Sequence, residues 1–330
     1  VKKPLNKDIF MKLSFCLACF FSFACSISDG EVQIQKKERE FRVLGYLYVH
    51  GGLKEELDNV DWDSYTDINL AFVQPDSNGD FLAKSEYEYL VNKAHLNGVR
   101  VFISIGGGEP PEYLAELMKA NHRSHWVKQI VNLVKDFEFD GVDVDLENAL
   151  INENYAPFVE ELHQGLKASG KLMTAALASW NGNKISNETM ELYDFINIMS
   201  YDNTGPWNLE IIGQHAPYNM ALNDIQYFHE IRGIPTSRIL LGLPFYGYGF
   251  GQGVPTSLWY KQIMEAYPKA YMQDSIVSNE GGILYYNSPD LIRRKTVLVR
   301  DLKLAGVMVW HITADADGPY SLLKAINDIL

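Results

Sequence analysis

Between residues 140 and 147 the chain reads DGVDVDLE, and its acids fall at alternate positions. Asp143, Asp145 and Glu147 alternate with Val142, Val144 and Leu146. On a β-strand alternate side chains share a face, so three carboxylates point one way and three aliphatics the other. The rise per residue sets Asp145 and Glu147 about 6.7 Å apart along the strand, with Asp143 a similar step deeper. Three inward acids on a covered strand are costly unless they share protons or act on a substrate. Neighbouring like charges raise a carboxyl toward neutrality, which is what a general acid needs. Because such groups titrate as a set, no single value belongs to one of them. Asp140 has the other parity and reads as a structural turn residue. Calcium loops also space acids at every second position, but they place Gly and small polar residues between ligands, not Val, Val and Leu.

A strand of this kind needs a covered parallel sheet around it. Seven further β-branched or apolar runs fit: Val43–Val49, Ile68–Val73, Val99–Ile105, Leu172–Ala178, Phe195–Met199, Ile239–Leu243 and Gly306–Trp310. Helical stripes lie between them. Tyr87, Leu90, Val91 and Ala94 form one, Trp126, Ile130, Leu133, Val134 and Phe137 another, and Ile225, Phe228 and Ile231 a third. Gly98 and Gly233 stand at expected helix ends. Eight βα alternations predict a closed (β/α)8 barrel over 43–330 rather than an open doubly wound sheet. The first strand is followed by no Gly-x-Gly-x-x-Gly, which argues against a dinucleotide site. Between Tyr246 and Gly306 the rhythm breaks. A Gly-rich loop, a helix near Leu258–Tyr267 and a strand-like patch after Gly282 predict a small insertion at about 250–305, closed by a helix from Pro289 to Leu304.

Composition sets outer bounds. The 330 residues are 47% hydrophobic and 22% charged, with a net charge of −13. A large core is available. Nucleic acid and anionic membrane surfaces are poor partners for so acidic a chain. All three cysteines, Cys16, Cys19 and Cys25, lie at the start, so no disulfide framework is expected. The eight histidines show no metal-ligand spacing, and neither metal nor cofactor is expected. From Met11, Lys12 and an apolar run to Ala24 resemble a signal peptide of about 12 apolar residues, too short to span a bilayer. Ala24-Cys25 resembles a bacterial lipoprotein cleavage site, which implies export, lipidation of Cys25 and a tether over 26–42. A plain secretory signal is the other reading of 1–25, and residues 1–10 read as a start-site artefact.

Asp140-x-x-Asp143-x-Asp145-x-Glu147 resembles the D-x-x-D-x-D-x-E signature of glycoside hydrolase family 18, the chitinase family. Companion motifs follow in the family's order. Ser104-Ile-Gly106-Gly107 resembles its S-x-G-G, Met199-Ser-Tyr201-Asp202 its M-x-Y-D, and Pro244-Phe245-Tyr246-Gly247 its strand-seven segment. Trp310 falls on the tryptophan of strand eight.

The resemblance implies substrate-assisted, retaining hydrolysis of β-linked N-acetylglucosamine polymers, an exception to the two-carboxylate scheme. Glu147 would be the acid and then the base. Asp145 would hold the acetamide N–H, and Asp143 would hold or share its proton. Tyr201 would donate to the acetamide oxygen. Asp202 and Met199 would line the sugar site, with Trp310 as its floor. Trp207, and less directly Trp180 and Tyr246, are further sugar platforms. His311 departs from the acidic or small residue that many relatives carry after the tryptophan. By analogy with deep-cleft relatives the shorter insertion implies a shallower groove, with endo action or short oligosaccharides, on chitin as substrate; a monomer is expected. Two rivals share the barrel: an endo-β-N-acetylglucosaminidase of N-glycan cores, and a sugar-binding protein without catalysis, which typically lacks the final Glu.

Overall fold

The computed structural model describes residues 41–49, 51–58 and 60–330. The leader, the tether up to residue 40 and the lipidation expected at Cys25 lie outside the described residues. Eight parallel strands close into a barrel. They are β1 (Arg42–Tyr48), β2 (Asp67–Ala71), β3 (Arg100–Gly107), β4 (Gly141–Leu146), β5 (Leu172–Leu177), β6 (Phe195–Ile198), β7 (Ile239–Pro244) and β12 (Gly306–Trp310). β12 pairs with both β1 and β7, which closes the ring. Each expected strand is found within about two residues of its predicted limits. The fold is the expected (β/α)8 barrel.

Side-chain parity explains the layers. Val142, Val144 and Leu146 of β4, with Val101, Ile103 and Ile105 of β3 and Ile239, Leu241 and Leu243 of β7, face outward into the helices and are buried. Each such side chain, fully buried, stabilises the fold by about 1.5–3 kcal/mol. Helices Arg123–Asp136 and Tyr155–Ala168 complete this layer beside β4, with Trp126 stacked on Phe158 at 4.6 Å. The opposite parity fills the interior with Leu44, Phe102, Phe195, Leu240 and Met308. At the lower mouth Asp67 pairs with Arg42 and Arg100. Asp140 is structural too: its carboxylate accepts from the Val101 amide at 2.7 Å and lies 2.9 Å from His95 Nε2.

The stretch after β7 forms a second sheet on the strands' C-terminal side. β8 (Tyr246–Phe250) begins two residues beyond β7 and pairs antiparallel with β9 (Ser257–Trp259) and β11 (Ile283–Tyr285). β10 (Ser275–Val277) pairs with β11 at the edge. Helix Tyr260–Ala266 follows β9, and helix Pro289–Asp301 leads back to β12. This sheet sets Tyr246, Tyr248 and Trp259 beside the barrel mouth.

Candidate active site

Asp143 and Asp145 are buried inside the barrel, while Glu147 stands one step past β4 and is partly open to solvent. Their arrangement follows the strand parity. Four neighbouring strands grip Asp143. Its Oδ2 accepts from Tyr46 Oη at 2.6 Å and Ser104 Oγ at 2.8 Å. Its Oδ1 accepts from Thr174 Oγ1 at 2.7 Å and Asn197 Nδ2 at 3.0 Å. These donors come from β1, β3, β5 and β6, so the carboxylate ties the barrel's middle layer together. Burial pushes the Asp143 carboxyl up, and the four donors pull against it.

Asp145 differs in kind. It is 4% exposed, and its Oδ1 has no hydrogen-bond partner among the described residues. Burial raises its carboxyl well above the ordinary range, and the charges of Glu147 and Asp143 add to this. A buried acceptor without a donor costs about 1–3 kcal/mol or more, so a ligand that brings an N–H gains that amount on arrival. Glu147 is raised to about 7, first by burial and then by the charge of Asp202. From strand spacing alone that push falls to Asp145 and Asp143. In the fold burial leads, the charge of Asp202 follows, and Asp143 acts on Asp145 instead. Asp145 and Glu147 titrate as a pair.

Tyr201 and Asp202 follow β6. Burial and the nearby charges of Asp145, Asp202, Glu147 and Asp143 hold the Tyr201 proton firmly. Its hydroxyl rests 3.9 Å from Met308 Sδ, a weak acceptor, and so stays available to a better one. Gly242 of β7 makes room for this ring, since a Cβ there would lie 2.9 Å from Tyr201 Cε1 and 2.3 Å from Ile198 O. Ser200 just before it donates to Asp224 at 2.7 Å, which braces the segment from helix Tyr218–Gln226. Asp202 sits at φ 63°, accepts from Tyr246 Oη and lies 3.7 Å from His215 Nδ1. Tyr246 is buried, at 4% exposed, with its hydroxyl on Asp202. Met199 is buried in the interior cluster.

Trp310 ends β12 with one partly exposed face. Phe72 stacks behind it at 5.7 Å and 25°, while Tyr46 at 5.4 Å and Tyr48 at 5.6 Å hold its edges. The indole is thus fixed at the mouth above the carboxylates. His311 turns away into the fold, buried, with its ring 4.5 Å from Trp259 and Nδ1 3.0 Å from Thr313 Oγ1. Trp207 is 60% exposed and meets Tyr248 edge-on at 5.4 Å. Trp180, after β5, is 56% exposed.

Tyr46, Thr174, Asn197, Phe72, Tyr248 and His215 join the site without belonging to any of the motifs above. Thr174 and Asn197 did carry a signal, each being a lone polar residue inside an apolar strand. Together the mouth offers an acid that keeps its proton near neutral pH, a buried acceptor awaiting a donor, a free phenol and a flat apolar floor. That set suits cleavage of a bond beside an amide-bearing ring.

Comparisons with known proteins agree. The pattern of the family described as Glycosyl hydrolases family 18 matches residues 42–315. Endochitinase 1 of Metarhizium robertsii is 28% identical over 322 residues, covering 81% of this chain and 74% of its own. A family 18 chitinase from the chitin utilization locus of Flavobacterium johnsoniae superposes with a TM-score of 0.79 at 31% identity, over 88% of this chain and 93% of that one. A chitinase from Bacteroides thetaiotaomicron gives 0.76 at 26%, over 87% and 95%. A closed barrel, the acids of β4 and these likenesses lead to one conclusion: the chain is a glycoside hydrolase and belongs to glycosyl hydrolases family 18.

Proposed function

We propose that the enzyme hydrolyses β-1,4-linked N-acetylglucosamine polymers, chitin and its oligosaccharides, with retention at the anomeric carbon. The observation that carries this reading is the pairing of Glu147, raised to about 7, with Asp145, whose buried Oδ1 lacks a donor. A sugar bearing an N-acetyl group supplies that donor.

In the first step the acetamide oxygen attacks its own anomeric carbon while the glycosidic C–O bond breaks. Glu147 gives its proton to the departing oxygen. Asp145 accepts the acetamide N–H and faces the positive oxazolinium ring, and Tyr201 donates to the acetamide oxygen as it aligns. In the second step Glu147, now ionised, takes a proton from water, whose oxygen attacks the anomeric carbon from the side the leaving group vacated. The acetamide is restored and Glu147 regains its proton. Asp143, fixed by its four donors, sets a like charge beside Asp145 that favours a proton shared on the acid strand. Trp310 floors the reacting ring, Asp202 binds a sugar hydroxyl, and Met199 packs beneath. Trp207, with Trp180 further out, takes sugars on the leaving side.

The chitinase names and structures among the relatives support the polymer. The reading is tested by offering chito-oligosaccharides and a high-mannose glycoprotein in parallel. Shortened chito-oligosaccharides with an untouched glycoprotein bear it out, and release of the N-glycan alone replaces it with an endo-β-N-acetylglucosaminidase. We also propose export and lipid anchoring through Cys25, which predicts mature protein in the membrane fraction of the producing bacterium. A Cys25→Ser chain that stays there speaks against it.

A further inference from the structure

The loop after β6 leaves the site at Asp202 and returns at His215. Its foot is fixed by several bonds. Asn203 N donates to His215 O at 2.8 Å, and Thr204 Oγ1 donates to Gly213 O at 2.7 Å. Gln214 Nε2 reaches the second sheet through Asp274 O at 3.1 Å and Tyr286 O at 2.6 Å. Buried Lys295 donates to Ala216 O at 2.7 Å. The tip is held as well, by the amides of Asn208 on Gly205 O and of Ile211 on Asn208 O. The Trp207 ring packs against Gly205, where a Cβ would fall 2.1 Å from it.

On this braced stalk the tip Leu209, Ile211 and Ile212 stand 65%, 56% and 58% exposed, next to Trp207. Four of six consecutive residues are large and apolar, with Glu210 as the single charge. Neighbouring exposed apolar side chains on a loop braced at foot and tip mark a contact surface. Trp207 meets Tyr248 at 5.4 Å, and Tyr248 lies 5.3 Å from Tyr246, whose hydroxyl is on Asp202, so the tip stands at the rim of the groove. The chain's charge of −13 and Glu210 at the tip disfavour an anionic lipid surface, whereas a neutral solid polysaccharide makes no electrostatic demand. We infer that Leu209, Ile211 and Ile212 form a contact surface for particulate polymer, pressing on the C–H and acetamide-methyl faces of packed N-acetylglucosamine chains while one chain enters the groove past Trp207. This rests on the proposed substrate and extends it from single chains to their solid.

The test is the triple variant Leu209→Ser, Ile211→Ser, Ile212→Ser beside the parent, on chitin particles and on the soluble N-acetylglucosamine hexamer. The expected result is a fall of about fivefold or more in adsorption to particles and in sugar released from them, since the three apolar contacts are lost. Turnover of the soluble hexamer stays within about twofold. Equal adsorption by parent and variant, or no adsorption by the parent, overturns the inference. So does a parent that binds phosphatidylcholine vesicles or self-associates through the loop and loses that property in the variant. A parent that leaves the hexamer uncut rejects the proposed function instead, so the two failures are distinct.

Discussion

Asp202, beyond the end of β6, adds its negative charge to burial in raising the carboxyl of Glu147, beyond the end of β4. Two neighbouring lobes of the mouth therefore set one proton affinity. Activity that needs protonated Glu147 declines as pH rises through about 7. Asp202→Asn removes the charge and shifts this basic limb of kcat/KM to lower pH. A pH–rate profile of both proteins checks it, and coincident basic limbs contradict the assignment.

The same raised carboxyl predicts a stability gain on mutation. With Glu147 at about 7 in the fold and near 4.5 when unfolded, the native state binds the extra proton between those values. Stability therefore falls as pH rises from about 4.5 to about 7 and is level beyond. Glu147→Gln escapes that penalty. Allowing for partial exposure, it gains about 1–2 kcal/mol at pH 8 and nothing near pH 4. Thermal unfolding at the two pH values reads the difference. Turnover in the same variant drops by at least about 10²-fold.

Tyr201 separates chemistry from folding. Its hydroxyl gives up only a thioether contact, so Tyr201→Phe keeps the parent's melting temperature. Loss of the donor to the acetamide oxygen lowers kcat by about 10²-fold with little change in KM. Steady-state kinetics on chito-oligosaccharides, with a melting curve alongside, check both halves.

Thr174 behaves oppositely. Thr174→Val is close in volume but withdraws one of the four donors to buried Asp143. It costs about 1–3 kcal/mol by denaturant unfolding, and Thr174→Ser restores most of it. Equal stability of Thr174→Val and the parent argues against the grip described.

The carboxylate strand was legible because a period of two leaves no choice about which residues face inward. The eight barrel strands were legible as apolar runs for a related reason. What surrounds Asp143 was not, because Tyr46, Thr174 and Asn197 reach it only through barrel closure and inter-strand register. Phe72 and Tyr48 likewise meet Trp310 only where β1, β2 and β12 converge. His215 sits in a loop with no periodicity, and its nearness to Asp202 depends on the Asn203–His215 bond. The three-residue strands β9, β10 and β11 are too short for alternation to show. The bond from the Tyr246 hydroxyl to Asp202 is equally invisible in the sequence, because β8 and the turn after β6 meet only in the fold.

Participation of the substrate's own acetamide can be read from products alone. The N-acetylglucosamine hexamer and its fully de-N-acetylated counterpart are offered at equal concentration, and freshly formed products are followed by proton NMR. Substrate-assisted retention gives β-anomeric products from the first and none from the second. Comparable cleavage of both, or initial α-anomers from the first, contradicts it.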